Sequence, residues 1–356
     1  MDESKEKNIE EIIKRLPAGY EEACYTKKAI ERKREIKTPI ELMRLALLYL
    51  IGEYSLIEMS IIAWEKGIAK INDTGFMKKF GKCAEWFKWI IGEIKPRAVI
   101  EYKAPRGLEE YAIMALDASQ VKEKGRSGRV YTLHYAIELL KMSAATYKIT
   151  TDKIGESLIN FNIGKNWLVL ADRAYGSLVS IEHCLKSCAN FILRLKYGAF
   201  KLYNEDGSEL DLLEKLRSAT SDVAVDIEVY VKLAKLKFTK LRICATKIPD
   251  DKAEKVERKF KRNDSKRQRK TSNQALFMSQ YVVLITALPY SISADDIVAL
   301  YRLRWQVEIY FKRLKSIIDF GNVPLRRQDN VITWLNGKLM ISLFIEQMIS
   351  EVSFSP

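Results

Sequence analysis

Two aspartates interrupt or end apolar segments that would otherwise suit a protein core. Asp117 lies within the run IMALDAS, and Asp172 ends WLVLAD just before Arg173. Burying a carboxylate is costly unless a cation or hydrogen-bond donors compensate it, and a divalent metal ion is one such compensation. The structural alternatives are a helix N-cap by Asp172 or a salt bridge to Arg173. Two such aspartates in one α/β layer favour a functional role.

A third acidic residue, Glu308, lies in the stretch YRLRWQVEIYFKRLK, residues 301–315, which has the pattern of a single amphipathic helix. At about 100° per residue, one face carries the polar set Tyr301, Arg304, Glu308 and Lys315. The opposite face carries the apolar set Leu303, Val307, Tyr310 and Leu314. An exposed i,i+4 pair between Arg304 and Glu308 would account for two of the charges. It would not account for the tyrosine or for the other cations around a single acid.

The three acids together suit phosphodiester chemistry. If Asp117, Asp172 and Glu308 converge, they could hold two divalent ions about 4 Å apart, which would activate a water or a 3′-hydroxyl and stabilise the leaving oxygen. Hard oxygen ligands favour Mg²⁺ or Mn²⁺. Arg304 and Lys315 would then hold the DNA phosphates on which the metals act.

Composition and charge point to the same class of partner. A chain of 356 residues with 47% hydrophobic content can bury a substantial core and predicts two or three domains. Sixty Lys and Arg against 46 Asp and Glu give a net charge of +14, which favours nucleic acid. The longest apolar region, residues 39–64, is interrupted by charges, so a membrane span is not expected. The N-terminus lacks the apolar region of a signal peptide, and a cytoplasmic protein is predicted.

Other chemistries lack their usual residues. The five cysteines have no paired spacing, which predicts reduced, buried thiols rather than disulfides. His183, Cys184 and Cys188 have no second pair of ligands with which to complete a zinc site. No phosphate-binding GxxxxGK[ST] loop, GxGxxG after a strand, GxSxG or HExxH occurs. Nucleotide hydrolysis, NAD chemistry and metalloproteolysis are therefore not predicted.

The elements that would position these residues form an α/β unit preceded by helices. Residues 1–105 are predicted to be helical, with helix starts at Thr38-Pro39 and at Ser55 and a third helical stretch over 74–94. Short helices with a basic face suit a DNA-binding domain, and a plain helical bundle fits equally well. From about residue 110, YAIMALDAS and RVYTLHYAIELL predict neighbouring strands. TTDKIGESLINF predicts a helix, WLVLAD a buried strand and YGSLVSIEHCLKS the next helix.

Between residues 191 and 290 the pattern becomes richer in strands. The segments FILRLK, VAVDIEVYVKLAKLKFTKLRICATKI and YVVLITALP suggest a β-rich insertion into the α/β unit. Within it, Lys252 to Lys270 contains ten Lys and Arg, which predicts either a solvated segment or one that follows a phosphate backbone.

The spacing Tyr301-x2-Arg304-x3-Glu308-x6-Lys315 resembles the Y-x2-R-x3-E-x6-K signature of bacterial transposases of insertion sequence family four, which belong to the DDE superfamily. The segments ALDAS and LADRAYGS resemble the two aspartate motifs of that family, in the expected order. TLHY, KIGESL and KTPIELMRLAL extend the resemblance to nearly the whole chain.

The resemblance implies an RNase H-like catalytic core with a β-rich insertion, behind an α-helical DNA-binding domain. The implied boundaries are 1–105 for the helical domain, 106–190 for the first part of the core, 191–292 for the insertion and 293–356 for the second part with the glutamate helix. The implied catalytic metal ligands, for two Mg²⁺ or Mn²⁺ ions, are Asp117, Asp172 and Glu308. The implied contacts to the DNA end, near a flipped base, are Tyr301, Arg304 and Lys315.

The implied reaction is cut-and-paste transposition. A synaptic complex, expected to contain a homodimer, would cleave double-stranded DNA at terminal inverted repeats and join the 3′-ends to target DNA. Tyr281 and Trp305 are candidates for stacking the flipped base, with packing as the alternative role of each. Related transposases continue through a further helical region, so truncation is one expectation. A truncated, non-catalytic DNA-end-binding inhibitor and a general RNase H-like nuclease stay open as alternatives, because both would carry the same carboxylates.

Overall fold

The computed structural model describes residues 3–52, 54–94, 102–123, 128–151, 154–217, 220, 223–235, 237–266, 268, 270 and 272–353. Half of the basic turn KEKGRSGR, residues 124–127, and Arg267 and Arg269 of the basic segment 252–270 lie outside these residues. Among the described helices, none is long and apolar enough to cross a membrane.

The N-terminal part is helical, as predicted. Its described helices are α1 (Glu3–Ile13), α2 (Tyr20–Thr26), α3 (Pro39–Gly52), α4 (Leu56–Glu65), α5 (Asp73–Phe80) and α6 (Ala84–Glu93). Both predicted helix starts are confirmed. Thr38 and Glu41 exchange hydrogen bonds at the start of α3, and Ser55 and Glu58 form a capping box on α4. The predicted helical stretch 74–94 is two helices, because α5 ends at a turn that begins with Gly81.

A central mixed sheet follows. Its strands are β1 (Ala112–Glu123), β2 (Val130–Glu138), β3 (Ser143–Thr151), β4 (Trp167–Ala171), β5 (Asn190–Arg194), β6 (Val225–Leu233), β7 (Lys237–Lys247), β8 (Tyr281–Thr286) and β9 (Asn322–Val323). They lie in the order β3-β2-β1-β4-β5-β8-β7-β6, and β9 pairs with β1. The first three strands are antiparallel neighbours, while β4 and β5 run parallel to β1.

Helices cover both faces of the sheet. They are α7 (Leu178–Lys186), α8 (Leu212–Leu216), α9 (Asp250–Lys266), α10 (Asn273–Ser279), α11 (Ala294–Arg302), α12 (Trp305–Ile317) and α13 (Gln328–Ser353). One core joins the N-terminal helices to α11, α12, α13 and one face of the sheet. The second core joins the other face to α7 and α8. The mixed α/β class is therefore confirmed.

The helix predicted for TTDKIGESLINF is wrong. Its first two residues, Thr150 and Thr151, end β3, and the described part of the remainder contains only a 3₁₀ turn over Leu158–Asn160. The pairing of Thr151 with Tyr131 on β2 explains the difference, since the cross-strand partner is distant in sequence and outweighs local helical preference.

The strands within residues 191–292 continue the central sheet. β5 lies beside β4, β8 pairs with β5, and β7 and β6 follow in antiparallel order. This segment therefore extends the sheet on the side away from β3 and shares its backbone hydrogen bonds. The domain boundaries derived from the sequence stay predictions.

The prediction of one helix over residues 301–315 is wrong. Tyr301 lies near the end of α11, whereas Glu308 and Lys315 lie in α12. The N–H groups of Leu303 and Arg304 bond to carbonyls three residues earlier, which tightens the chain into a turn between the helices. The turn also exchanges the environments predicted for two residues, because Tyr301 is buried and Leu303 is 45% exposed. Val307 and Leu314 on α12 are buried as predicted.

A pair of tyrosines holds α12 against the sheet. The rings of Tyr135 on β2 and Tyr310 on α12 stack with their centres 4.5 Å apart. The Tyr135 hydroxyl donates to the Tyr310 hydroxyl over 2.8 Å, and the Tyr310 hydroxyl lies 3.3 Å from Ser342 Oγ on α13. One buried contact thus fixes α12 relative to β2 and α13, and Glu308 lies in the first turn of that fixed helix.

Glu346 on α13 gives this region a pH-dependent stability. Burial raises the pKa of Glu346 to about 7, while Tyr310 and Arg313 oppose the shift. Since the folded carboxyl binds its proton more tightly than the unfolded one, stability falls as the pH rises from about 4.5 to 7. Glu346→Gln should therefore stabilise the protein relative to wild type by roughly 1 to 3 kcal/mol at pH 8 and by little at pH 4.

Urea unfolding at the two pH values measures this difference. Glu205→Gln, at an exposed position, is the control and should leave the pH dependence as in wild type. A stability change for Glu346→Gln that is the same at both pH values would contradict the prediction.

Candidate active site

Three adjacent parallel strands bring Asp117, in the middle of β1, level with Asp172 and Arg194 at the carboxyl ends of β4 and β5. The register pairs Ala115 of β1 with Leu170 of β4, and Ala171 of β4 with Leu193 of β5. Continued along the strands, it sets Asp117 opposite Asp172, and Asp172 opposite Arg194. Neighbouring strands are about 4.8 Å apart and side chains alternate between the two faces, so all three project from the face covered by α12.

Local backbone contacts orient the two aspartates. Asp117 Oδ1 accepts from the N–H of Ala118 over 2.8 Å, and Asp172 Oδ1 accepts from the N–H of Ala174 over 2.8 Å. Asp172 therefore caps a turn and makes neither the helix N-cap nor the salt bridge considered from the sequence. A Cβ on Gly176 would come within 2.5 Å of the Arg194 carbonyl oxygen, so glycine lets this turn pack against the end of β5.

Arg304 joins the third acid to the first. Its Nη1 lies 3.4 Å from Asp117 Oδ2, and its Nη2 lies 2.5 Å from Glu308 Oε1. The i,i+4 pair that the sequence suggests for Arg304 and Glu308 is confirmed, and it includes a carboxylate from the sheet. The turn between α11 and α12 makes this contact possible, because Arg304 immediately precedes α12 and reaches β1 from there.

The electric field at Asp117 favours an added cation. The pKa of Asp117 is raised to about 6, mainly by burial and also by the charges of Asp172 and Glu308, while the Ala118 N–H and the Arg304 guanidinium oppose the shift. The three carboxylates are therefore close enough to influence one another's charge. The Arg304 side chain supplies part of the compensation.

The three carboxylates have the right chemistry to bind a divalent metal ion, but their side chains are not arranged around one. Three carboxylates offer the hard oxygen ligands that Mg²⁺ and Mn²⁺ prefer. Within the described ranges, however, no three His, Cys, Asp or Glu side chains are grouped closely enough to hold a metal ion. The Arg304 guanidinium lies between Asp117 and Glu308 and bonds to the oxygens that a metal would use.

The predicted DNA-contacting residues are divided between two places. Tyr301 is buried beside Arg304, whose guanidinium carbon is 5.8 Å from the centre of its ring. Burial raises the pKa of the Tyr301 phenol, and Arg304 and Arg194 oppose this shift. Lys315 lies on α12, two turns after Glu308. It is exposed and makes no hydrogen bond or ion pair with any described carboxylate.

The two candidate aromatic platforms differ. Tyr281 is buried with its ring centre 5.1 Å from that of Phe277, so packing is its role. Trp305 is 51% exposed, which does not fit the packing alternative. It lines a cavity of about 580 Å³ that Tyr301 and Arg304 also line.

Two arginines near the carboxylates were not identified as site residues from the sequence. Burial lowers the pKa of Arg173 to about 10, with Arg194 adding to the effect. Burial also lowers the pKa of Arg194, while Asp172 opposes the shift. The sequence shows Arg194 only as a basic residue that ends the apolar run FILR. Its proximity to Asp172 follows only from the strand order, which sets β5 beside β4.

Neither histidine belongs to this cluster. His134 is buried and lies 2.8 Å from Thr150 Oγ1, and His183 Nε2 lies 3.2 Å from the Phe161 carbonyl oxygen. The five cysteines are free, and four are buried as predicted. Cys188 is exposed, because it occupies a left-handed turn with φ of 54° between α7 and β5.

Comparison with known proteins identifies the family. Residues 119–344, more than half of the chain, match the family described as Transposase DDE domain. That stretch contains Asp172, Tyr301, Arg304, Glu308 and Lys315, and it begins two residues after Asp117.

Named relatives agree with this match. The chain is 25% identical over 340 residues to the putative transposase InsL for insertion sequence element IS186A of Escherichia coli strain K12, covering 92% of this chain and 90% of that protein. It is 24% identical over 342 residues to the transposase for insertion sequence element IS421 of Escherichia coli, with the same coverage. The carboxylate cluster on a mixed sheet and the family match lead to one conclusion: the chain belongs to the DDE transposases, enzymes that cleave and transfer DNA strands.

Proposed function

We propose that the protein moves an insertion sequence by cut-and-paste transposition, with Asp117, Asp172 and Glu308 as its catalytic residues. The observation that carries the proposal is the cluster itself. Two aspartates lie level on adjacent parallel strands, and Arg304 connects the first of them to Glu308. Nucleotide hydrolysis, NAD chemistry and metalloproteolysis do not use such a cluster, whereas a general nuclease would use it without preference for the ends of an element.

An RNase H-like catalytic core is part of this proposal. The order β3-β2-β1-β4-β5, with three antiparallel strands followed by two parallel ones, supports it. Membership of insertion sequence family four rests on the spacing of Tyr301, Arg304, Glu308 and Lys315. In the proposed division, residues 1–105 bind DNA, 106–190 and 293–356 form the core, and 191–292 are the insertion that widens the sheet.

The proposed cofactor is a pair of Mg²⁺ or Mn²⁺ ions held by the three carboxylates. When bound, two such ions supply an activated water or 3′-hydroxyl and stabilise the leaving oxygen at phosphorus. A bound cation would stabilise the charged form of Asp117, which burial and the acidic neighbours disfavour. Arg304 would have to release Asp117 and Glu308, and its guanidinium would then be available to a DNA phosphate.

The N-terminal helices offer a surface for duplex DNA. A cavity of about 640 Å³ beside α5 is lined by a basic set that includes Arg32, Arg34, Lys70, Lys78, Lys79 and Lys82. Burial lowers the pKa of Lys79, and the nearby Lys82 charge lowers it further. Bound phosphates would reduce the repulsion between cations that lie this close together. We assign the terminal inverted repeats to this surface.

The exposed basic helix α9 and Lys315 are further candidates for backbone contacts. In α9, ion pairs from Arg258 to Glu254 and from Lys261 to Glu257 use only part of the positive charge. A homodimer would hold two element ends together in the synaptic complex and present them to target DNA. Such DNA lies in the bacterial cytoplasm, where the protein would associate with the nucleoid.

Removal of a proposed catalytic carboxylate should abolish strand cleavage without unfolding the protein. Asp117→Asn or Glu308→Gln should reduce cleavage of a duplex bearing the element's terminal sequence by at least about a hundredfold, equivalent to about 2.7 kcal/mol of lost transition-state stabilisation. The assay follows cutting of labelled DNA with Mg²⁺ and with Mn²⁺.

Glu182→Gln is the matched control, because this glutamate pairs with Lys186 on α7, which packs on the opposite face of the sheet. It should cleave as wild type does. Cutting that survives Asp117→Asn or Glu308→Gln undiminished would remove the assignment of the catalytic residues, and cutting without preference for the element's ends would favour a general nuclease.

Trp305 is the proposed platform for an extruded base. Stacking of a base on an aromatic ring contributes about 1 to 3 kcal/mol. Trp305→Ala should therefore weaken binding of the element end by roughly fivefold to a hundredfold, while Trp305→Phe should retain most of the affinity. Fluorescence anisotropy of a labelled duplex measures both. Ile317→Ala, at a 68% exposed position on the same helix, is the control. Equal affinities for wild type and Trp305→Ala would exclude the stacking role.

A further inference from the structure

Two half-buried guanidinium groups next to the carboxylates have no hydrogen-bond or ion-pair partner among the described residues. Arg173 follows Asp172 directly, and Arg194 ends the neighbouring strand β5. Neither makes a hydrogen bond or an ion pair with any residue that the structure describes, and the Nε atom of each is buried without a partner. Arg304 also has a buried, unpartnered Nε, but its other nitrogens bond to Asp117 and Glu308.

The fold holds these two like charges together. Gly176 packs against the Arg194 carbonyl oxygen, which fixes the turn carrying Arg173 against the end of β5. Each guanidinium loses solvation by burial, and Arg194 adds direct repulsion to the cost of the charge on Arg173. Such an arrangement is unfavourable unless an anion compensates it.

The nearest acid gives only partial compensation. Asp172 attracts both guanidiniums at a distance but forms no ion pair with either, and its Oδ1 is taken by the Ala174 N–H. Elsewhere the chain pairs a buried arginine fully: Arg242 bonds to Asp226 and to the carbonyl oxygens of Leu288, Pro289 and Ile292. Two arginines left with open donors beside the catalytic cluster therefore differ from the chain's structural arginine.

We propose that Arg173 and Arg194 form an anion site for one backbone phosphate of the DNA strand, adjacent to the phosphate that is cleaved. This inference rests on the proposed active site, since the register sets Arg194 one strand beyond Asp172 on the side away from Asp117. The two planar forks offer donors to a phosphate in the geometry that arginine favours. They position the DNA and take no part in bond breaking.

The test measures DNA binding without divalent metal, so that chemistry does not enter. The full chain binds a labelled duplex carrying the element's terminal sequence in EDTA, over a range of salt concentrations. Arg194→Gln should weaken binding by about tenfold and lower the slope of log affinity against log salt by about 1, as expected for one lost phosphate contact. Arg194→Lys should keep the wild-type slope. Lys186→Gln, on the opposite face, is the control for loss of one positive charge.

Methylphosphonate substitution locates the phosphate. Neutralising the phosphates of the cleaved strand one at a time should weaken binding to the wild type at several positions. At one of these, beside the cleavage position, Arg194→Gln and Arg173→Gln should show no further loss. Thermal unfolding of each variant distinguishes local loss of contact from loss of fold.

The anion site would be overturned if both glutamine variants kept the wild-type affinity and salt slope and every methylphosphonate effect were unchanged. The two arginines would then serve only to balance the charge of Asp172 from a distance. That result would not affect the proposed transposition, which depends on cleavage by the wild type and its loss in Asp117→Asn. Conversely, a protein that binds as proposed but never cuts its element ends would refute the proposed function and retain the phosphate contact.

Discussion

The structure depends on how it places negative charge on one face of the central sheet, where β4 ends beside the middle of β1. Pairing between β1 and β4 sets Asp117 level with Asp172, and the apolar residues before each aspartate hold both strands in the core. Carboxylates that are partly buried side by side destabilise one another, so each needs a compensating group. Backbone N–H groups satisfy one oxygen of each, and Arg304 supplies the nearest cation. The negative charge that these groups leave uncompensated would attract a metal ion.

The helices serve to bring Arg304 and Glu308 to that edge. The turn that separates α11 from α12 sets Arg304 at the start of α12, where its guanidinium contacts a sheet residue and a helix residue together. The stacked pair Tyr135 and Tyr310 then fixes α12 from below. Because α13 packs against both this pair and the N-terminal helices, the proposed catalytic core and the proposed DNA-binding helices share one hydrophobic core.

Much of the site was predictable from sequence because its parts are local. The apolar runs around Asp117 and Asp172 predict strands, and the capping residues Thr38 and Ser55 predict helix starts, since each signal depends on neighbours in the chain. The turn at Leu303 between α11 and α12 was not predicted, because the helical spacing of apolar residues continues through it. The turn lies where Arg304 contacts β1, which is distant in sequence. The role proposed for Arg194 depends on which strands are neighbours. Residues 150–161 were wrongly predicted to be helical because Thr150 and Thr151 pair with β2. Long-range pairing decided each of these cases.

The most direct test of the account is anomalous diffraction from Mn²⁺ in crystals of the protein bound to its own DNA end. We expect manganese peaks in contact with the carboxylates of Asp117, Asp172 and Glu308, with the Arg304 guanidinium moved from them to the DNA. Manganese bound elsewhere, with Arg304 still bridging Asp117 and Glu308 beside a bound DNA end, would contradict it.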